Sequence, residues 1–125
     1  MLDTNVAIHL RDRDPAVIAK IAVLDDAAMI SIVTRVELEG GVYSDPAQAA
    51  SRRARLDVML ETLPTVPFDD LAADTYKSIL ETTGFSRRKV LDRMIAAQAI
   101  VHRATVMTMN AANFADIPDI KVLAW

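Results

Sequence analysis

Apolar residues along this chain alternate between short dense runs of strand length and longer stretches with helical spacing. Leu2 begins a very short strand that ends at Asp3, and the apolar spacing from Val6 to Leu10 opens a helix directly after it. Asp14-Pro15, an N-cap with proline at the first helical position, starts a second helix through about Leu24, with Val17, Ile18, Ile21 and Leu24 on one face. Ala28 to Val33 is an apolar run of the kind expected where a parallel strand is covered on both faces. Thr34-Arg35-Val36-Glu37 then fits a capping box opening a third helix, whose end Gly40-Gly41 weakens. Asp45-Pro46 repeats the cap signature and predicts a long helix to about Glu61, and these two helices are a candidate clip or oligomer surface. Thr65-Val66-Pro67 is a brief third strand, and Leu71 to about Thr83 a helix stopped by Gly84. Val90 to Arg103 is apolar almost all round and therefore central. Thr105–Thr108 gives a fourth strand and Ile120–Val122 a last edge strand. Strand and helix alternate throughout, which predicts an α/β fold with a mostly parallel sheet of four to five strands flanked by helices.

Composition narrows this picture. A chain of 125 residues fits one domain, residues 1–125, with a core of its own. The absence of cysteine rules out disulfides and thiolate chemistry and leaves oxygen ligands as the plentiful metal donors. Hydrophobic residues reach 52%, yet their runs are short and broken by charge, so no membrane span or signal peptide is expected and the chain reads as cytoplasmic. A net charge of −3 argues against a general nucleic-acid binder. Basic residues nevertheless cluster at Arg52-Arg53-Arg55 and at Arg87-Arg88-Lys89 with Arg93. The first cluster reads as a solvated helix face, whereas the second lies beside Asp92 and would draw a phosphodiester toward an acidic centre.

The candidate chemistry lies where apolar runs end. Asp3, Glu37, Asp92 and the stretch Asn110 to Asn113 each place a side-chain oxygen just after a strand or at a helix start, and that edge of an open α/β sheet is where ligands bind. For Glu37 the alternative is plain capping, for Asp69 and Asp70 capping is preferred, and His9 and His102 lack suitably spaced partners. Three ionised carboxylates in one pocket require a cation, and Mg²⁺, or Mn²⁺, suits such a set of hard oxygens. A site of that kind hydrolyses phosphodiesters.

Leu2-Asp3-Thr4-Asn5, Thr34-Arg35-Val36-Glu37-Leu38 with Gly40-Gly41, Asp92-Arg93-Met94-Ile95-Ala96-Ala97, and Thr108-x-Asn110-x-x-Asn113-Phe114 with Ile117-Pro118 resemble the successive motifs of PIN-domain proteins, and among them VapC-type toxins of bacterial toxin–antitoxin pairs. The resemblance spans essentially the whole chain. It implies a three-layer sandwich and a Mg²⁺- or Mn²⁺-dependent endoribonuclease acting on RNA, usually a homodimer and restrained by a VapB-type antitoxin. Asp3, Glu37 and Asp92 match the family's acidic metal ligands and Thr108 its hydroxyl near the metal, while Arg87, Arg88 and Asn5 are the expected substrate contacts. In one respect the chain departs from the pattern: where relatives commonly carry a fourth acid it has Asn113, which offers an uncharged carbonyl oxygen. Asp116 lies three residues further on and is the weaker candidate. Two rivals remain: a PIN-like module that grips RNA or a partner without cleaving, and a phosphatase of the haloacid dehalogenase type. The latter wants a second Asp where this chain has Asn5, and no catalytic Lys is evident.

Overall fold

A computed structural model describes all of residues 1–125. Helices α1 (Thr4–Arg11) and α2 (Pro15–Ala22) precede strand β1 (Ile30–Ser31), followed by α3 (Ile32–Tyr43), α4 (Ala49–Thr62) and β2 (Thr65–Val66). The second half comprises α5 (Asp70–Thr83), a 3-10 turn (Arg87–Lys89), α6 (Val90–Val101), β3 (Thr105–Thr108), a second 3-10 turn (Ala111–Phe114) and β4 (Lys121–Ala124).

All strand pairings are parallel. Ile30 sits opposite Thr65 and Thr105 opposite Lys121, and Leu2 bridges both Ile30 and Met107. The amino-terminal segment thus zips two strand pairs into one sheet of order β2-β1-Leu2-β3-β4. Its backbone donates from Leu2 N–H to Met29 C=O (2.9 Å) on one side and from Asp3 N–H to Met107 C=O (3.0 Å) on the other. Successive strand residues point to opposite faces. Leu2, Ile30 and Met107 therefore pack with Val6, Val17, Leu38, Val42, Leu56 and Met59 from α1 to α4. Met1, Val66 and Val106 pack with Ile79, Ile95, Ala96 and Ala99 from α5 and α6. Helices on both faces of a parallel sheet make the expected three-layer sandwich.

Several boundaries differ from the sequence reading, each for a local reason. The run Ala28–Val33 is a strand only at Ile30–Ser31, because the Ser31 hydroxyl accepts a hydrogen bond from Val33 N–H (2.9 Å) and starts α3 there. Thr34 is consequently a buried residue of the helix interior, the capping box does not form, and Glu37 stands one turn in. The Ser31 hydroxyl also donates to Gln98 Oε1, while Gln98 Nε2 donates to the carbonyls of Val66 (3.0 Å) and Pro67 (2.9 Å). This fully buried amide satisfies polar groups of β1, β2 and α6 together, which lets two-residue strands hold their place. Asp45 caps only a turn, through Ala47 N–H (3.1 Å), and the long helix begins at Ala49. The last strand runs to Ala124, where Trp125 N–H still reaches Thr108 C=O at 2.8 Å.

Candidate active site

In a parallel sheet every strand ends on the same edge, and helices that return to the opposite edge begin there too. Asp3 follows the Leu2 bridge, Glu37 rides the first turns of α3 after β1, Asp92 is in the first turn of α6, and Thr108 closes β3. The chain's own topology therefore brings four distant segments to the carboxyl edge. There Asp3, Glu37 and Asp92 line one cleft of about 310 Å³, with Asn5, Arg87 and Arg88 in its wall. A larger cavity of about 480 Å³ lies between α1, α2 and α4 among Leu10, Ile21, Met59 and Leu63, but carries no group of converging acids. The converging acids lie in the smaller, more polar cleft.

Asp3 is 4% exposed and both its oxygens are used. Oδ1 accepts from Val6 N–H at 3.1 Å, capping α1, and Oδ2 accepts from the Thr108 hydroxyl. Thr108 Oγ1 in turn accepts from Asn110 N–H at 2.9 Å. A carboxylate held by a helix N-terminus and a buried hydroxyl has one orientation. Glu37 is steered in the same manner: Thr4 Oγ1 donates to Glu37 Oε1 at 2.7 Å and lies 3.1 Å from Thr34 Oγ1. Asn113 donates from Nδ2 to Asp92 Oδ2 at 2.9 Å. Burial first, and the charge of Asp3 next, push the Asp92 carboxyl above its ordinary value of 3.8; the Asn113 hydrogen bond opposes this and Glu37 adds to it.

Asp116 is engaged elsewhere. It pairs with Lys89 (3.4 Å) and with Arg93 (3.2 Å), whose 2%-exposed guanidinium also donates to Gly84 C=O at 2.7 Å. The expected basic cluster therefore divides, with Lys89 and Arg93 bound to Asp116 and Arg87 and Arg88 facing the cleft. Arg52 and Arg53 are internal fasteners, Arg52 to Gly41 C=O (2.8 Å) and Arg53 to Glu39 and Asp57. His9 does have a carboxylate partner, Asp14 at 3.1 Å. Sequence reasoning missed Thr4, Thr34 and Gln98. Thr34 sits three residues before Glu37, hence on the same helix face, a signal the capping reading absorbed.

No three acids or histidines close into a ready cage for an ion. The residues nonetheless fit a cation that keeps most of its water. The donors are hard oxygens, no basic side chain forms an ion pair with Asp3, Glu37 or Asp92, and Asp92 bears the electrostatic consequence.

Comparison with known proteins agrees with the architecture. Ribonuclease VapC2 of Rickettsia felis is 26% identical over an alignment 136 positions long, covering 100% of this chain and 96% of that protein. The crystal structure of VapBC2 from Rickettsia felis bound to a promoter DNA fragment superposes with a TM-score of 0.87 at 26% identity, covering 100% of this chain and 97% of that one. DNA-bound VapBC from Salmonella typhimurium gives 0.86 at 25% identity, covering 100% and 96%. The family model described as PIN domain matches residues 1–120, and with it the sheet order, the acids at the carboxyl edge and the two flanking helical layers have one common explanation: this chain belongs to the PIN domain family.

Proposed function

We propose that this protein is a VapC-type toxin, a Mg²⁺- or Mn²⁺-dependent endoribonuclease that works in the cytoplasm as a homodimer and is neutralised by a cognate VapB-type antitoxin. The observation that carries the reading is the meeting of Asp3, Glu37 and Asp92 in one cleft walled by Arg87 and Arg88. Similarity to a ribonuclease, and to toxin chains solved in VapBC complexes, supports the substrate and the partner. No helix is long and apolar enough to cross a membrane, in keeping with the proposed compartment.

Asp3, Glu37 and Asp92 would hold the cation, which when bound supplies neutralising charge at the scissile phosphate and acidifies a water. The chain's own groups do the positioning. Thr108 fixes the rotamer of Asp3, Thr4 that of Glu37, and Asn113 that of Asp92. Arg87, Arg88 and Asn5 hold the phosphate and sugar of the strand against the cleft. Asn113 stands where the resemblance to the family implies a further acid, so the site keeps its three carboxylates with a neutral amide beside Asp92.

Incubation of single-stranded RNA with the purified protein tests this. Cleavage should require Mg²⁺ or Mn²⁺, stop with chelator, and vanish in Asp92→Asn. The second reading, a PIN-like module that binds without cutting, is favoured by Asn113 and by the low overall basicity of the chain. It predicts RNA retained on the protein with no new ends produced at any metal concentration.

A further inference from the structure

The stretch from Gly84 to Arg88 contains an aromatic side chain, Phe85, that lies outside the lining of the cleft. Phe85 is 72% exposed, whereas Phe114 is buried and Phe68 half-buried. Single exposed apolar residues are ordinary on protein surfaces, so exposure by itself says little. What distinguishes Phe85 is how its backbone is held and what stands beside it. Gly84, at φ 79°, ends α5 and donates its N–H to Leu80 C=O at 2.8 Å, while its own carbonyl is gripped by the buried Arg93. On the other side, Ser86 C=O accepts from Lys89 N–H at 3.1 Å and opens the 3-10 turn. Phe85 is therefore presented to solvent from two fixed neighbours. Two and three residues on, Arg87 and Arg88 line the acidic cleft and form no ion pair of their own.

We propose that Phe85 is a stacking platform for an unpaired base of the RNA strand whose phosphates lie against Arg87 and Arg88. This deepens the ribonuclease reading and rests on it. A flat ring costs little rotamer entropy to order, and guanidinium groups beside an aromatic face are what single-stranded RNA recognition uses. The Cα atoms of Phe85 and Arg87 are at most about 7 Å apart, so the stacked base belongs to a nucleotide within a few positions of the phosphate on Arg87. A base in a duplex has both faces occupied by its neighbours and cannot take that place. The subsite thus selects unpaired RNA, such as loops and single strands, at the position beside the cleft.

The test uses full-length protein carrying Asp92→Asn, so that RNA binds without being cut, and fluorescence anisotropy with a short single-stranded RNA. Phe85→Ala should weaken binding about 10-fold, Phe85→Leu nearly as much, and Phe85→Trp not at all. The salt dependence should be unchanged by Phe85→Ala and reduced by about one in slope by Arg87→Ala. The penalty of Phe85→Ala should disappear on an RNA made abasic at one position and persist at the others. Full binding by Phe85→Leu, no loss in Phe85→Ala, or a penalty indifferent to abasic sites overturns the stacking role. A change of oligomeric state in Phe85→Ala, read by light scattering, overturns it in favour of contact with a second copy. If the protein with Phe85 intact binds no RNA, the ribonuclease reading falls with it; if Arg87→Ala matters and Phe85→Ala does not, only the stacking platform falls.

Discussion

Glu37 and Glu39 stand two residues apart on α3 in opposite electrostatic surroundings. Glu39 faces α4, where Arg53 donates two hydrogen bonds to it and Arg35 a further contact at 3.5 Å; Arg53 first of all holds its carboxyl below the usual value. Glu37 faces the cleft, with a threonine hydroxyl for company and Asp3 and Asp92 as neighbours. The α3–α4 face is a closed set of paired opposite charges, and the carboxyl edge is an open set whose three acids form no ion pair. A folded chain that leaves three acids converging with no ion pair to any of them, although Arg87 and Arg88 stand in the same wall, forgoes stability there, and such places are where a ligand brings the missing charge.

The largest effect should come from discharging the open set. Asp92→Asn should lower RNA cleavage by more than about 100-fold while raising stability without metal by about 0.5 kcal/mol, since a like charge is gone. Cleavage kinetics and thermal melts in chelator check the two halves, and a variant that is both inactive and less stable would contradict the contrast. Thr108→Val should follow, with cleavage down about 10-fold and stability down by about 1–2 kcal/mol, because Asp3 loses a donor and Asn110 N–H its acceptor. Comparable activity in Thr108→Val would mean that Asp3 needs no orienting partner.

The pH response sharpens the same comparison. With the Asp92 carboxyl raised above 3.8 by burial and by Asp3, the folded state binds more protons than the unfolded state between those two values. Its contribution to stability is therefore largest at low pH and lost as pH rises through the folded value. Melting temperature measured from near pH 4 to near pH 7 should fall in the native protein relative to Asp92→Asn, and Mg²⁺ should restore the difference only at the upper end. Parallel curves would remove Asp92 from the open set. The smallest effect belongs to the closed set: Arg53→Ala should cost at most about 1 kcal/mol and leave cleavage unchanged.

Much of this was legible because the fold repeats one grammar, an apolar run followed at once by an oxygen. That rule marks Asp3, and it marks Glu37 despite a misleading capping box, whereas Asp92 stands out as an acid at the start of an otherwise apolar helix. What it cannot reveal is partnership across the chain. Thr4 meets Glu37 over a separation of 33 residues and Thr108 meets Asp3 over 105, and neither threonine differs in local pattern from a helix or strand residue of no consequence. Arg93 was hidden for a different reason. A cation in an apolar helix reads as surface beside Arg87 and Arg88, yet Asp116 and Gly84 C=O let it be buried. The start of α3 was missed because Ile32 and Val33 suit a buried strand as well as a buried helix, and only the Ser31 hydroxyl decides.

Paramagnetic Mn²⁺, titrated into isotopically labelled protein and followed by amide line broadening, addresses the cation at the carboxyl edge most directly. Loss of signal centred on Asp3 to Asn5, Glu37 and Leu91 to Arg93, and abolished in Asp92→Asn, is the predicted result. Broadening centred instead on the acids of α4, Asp57 and Glu61, or no localised broadening at all, would contradict it.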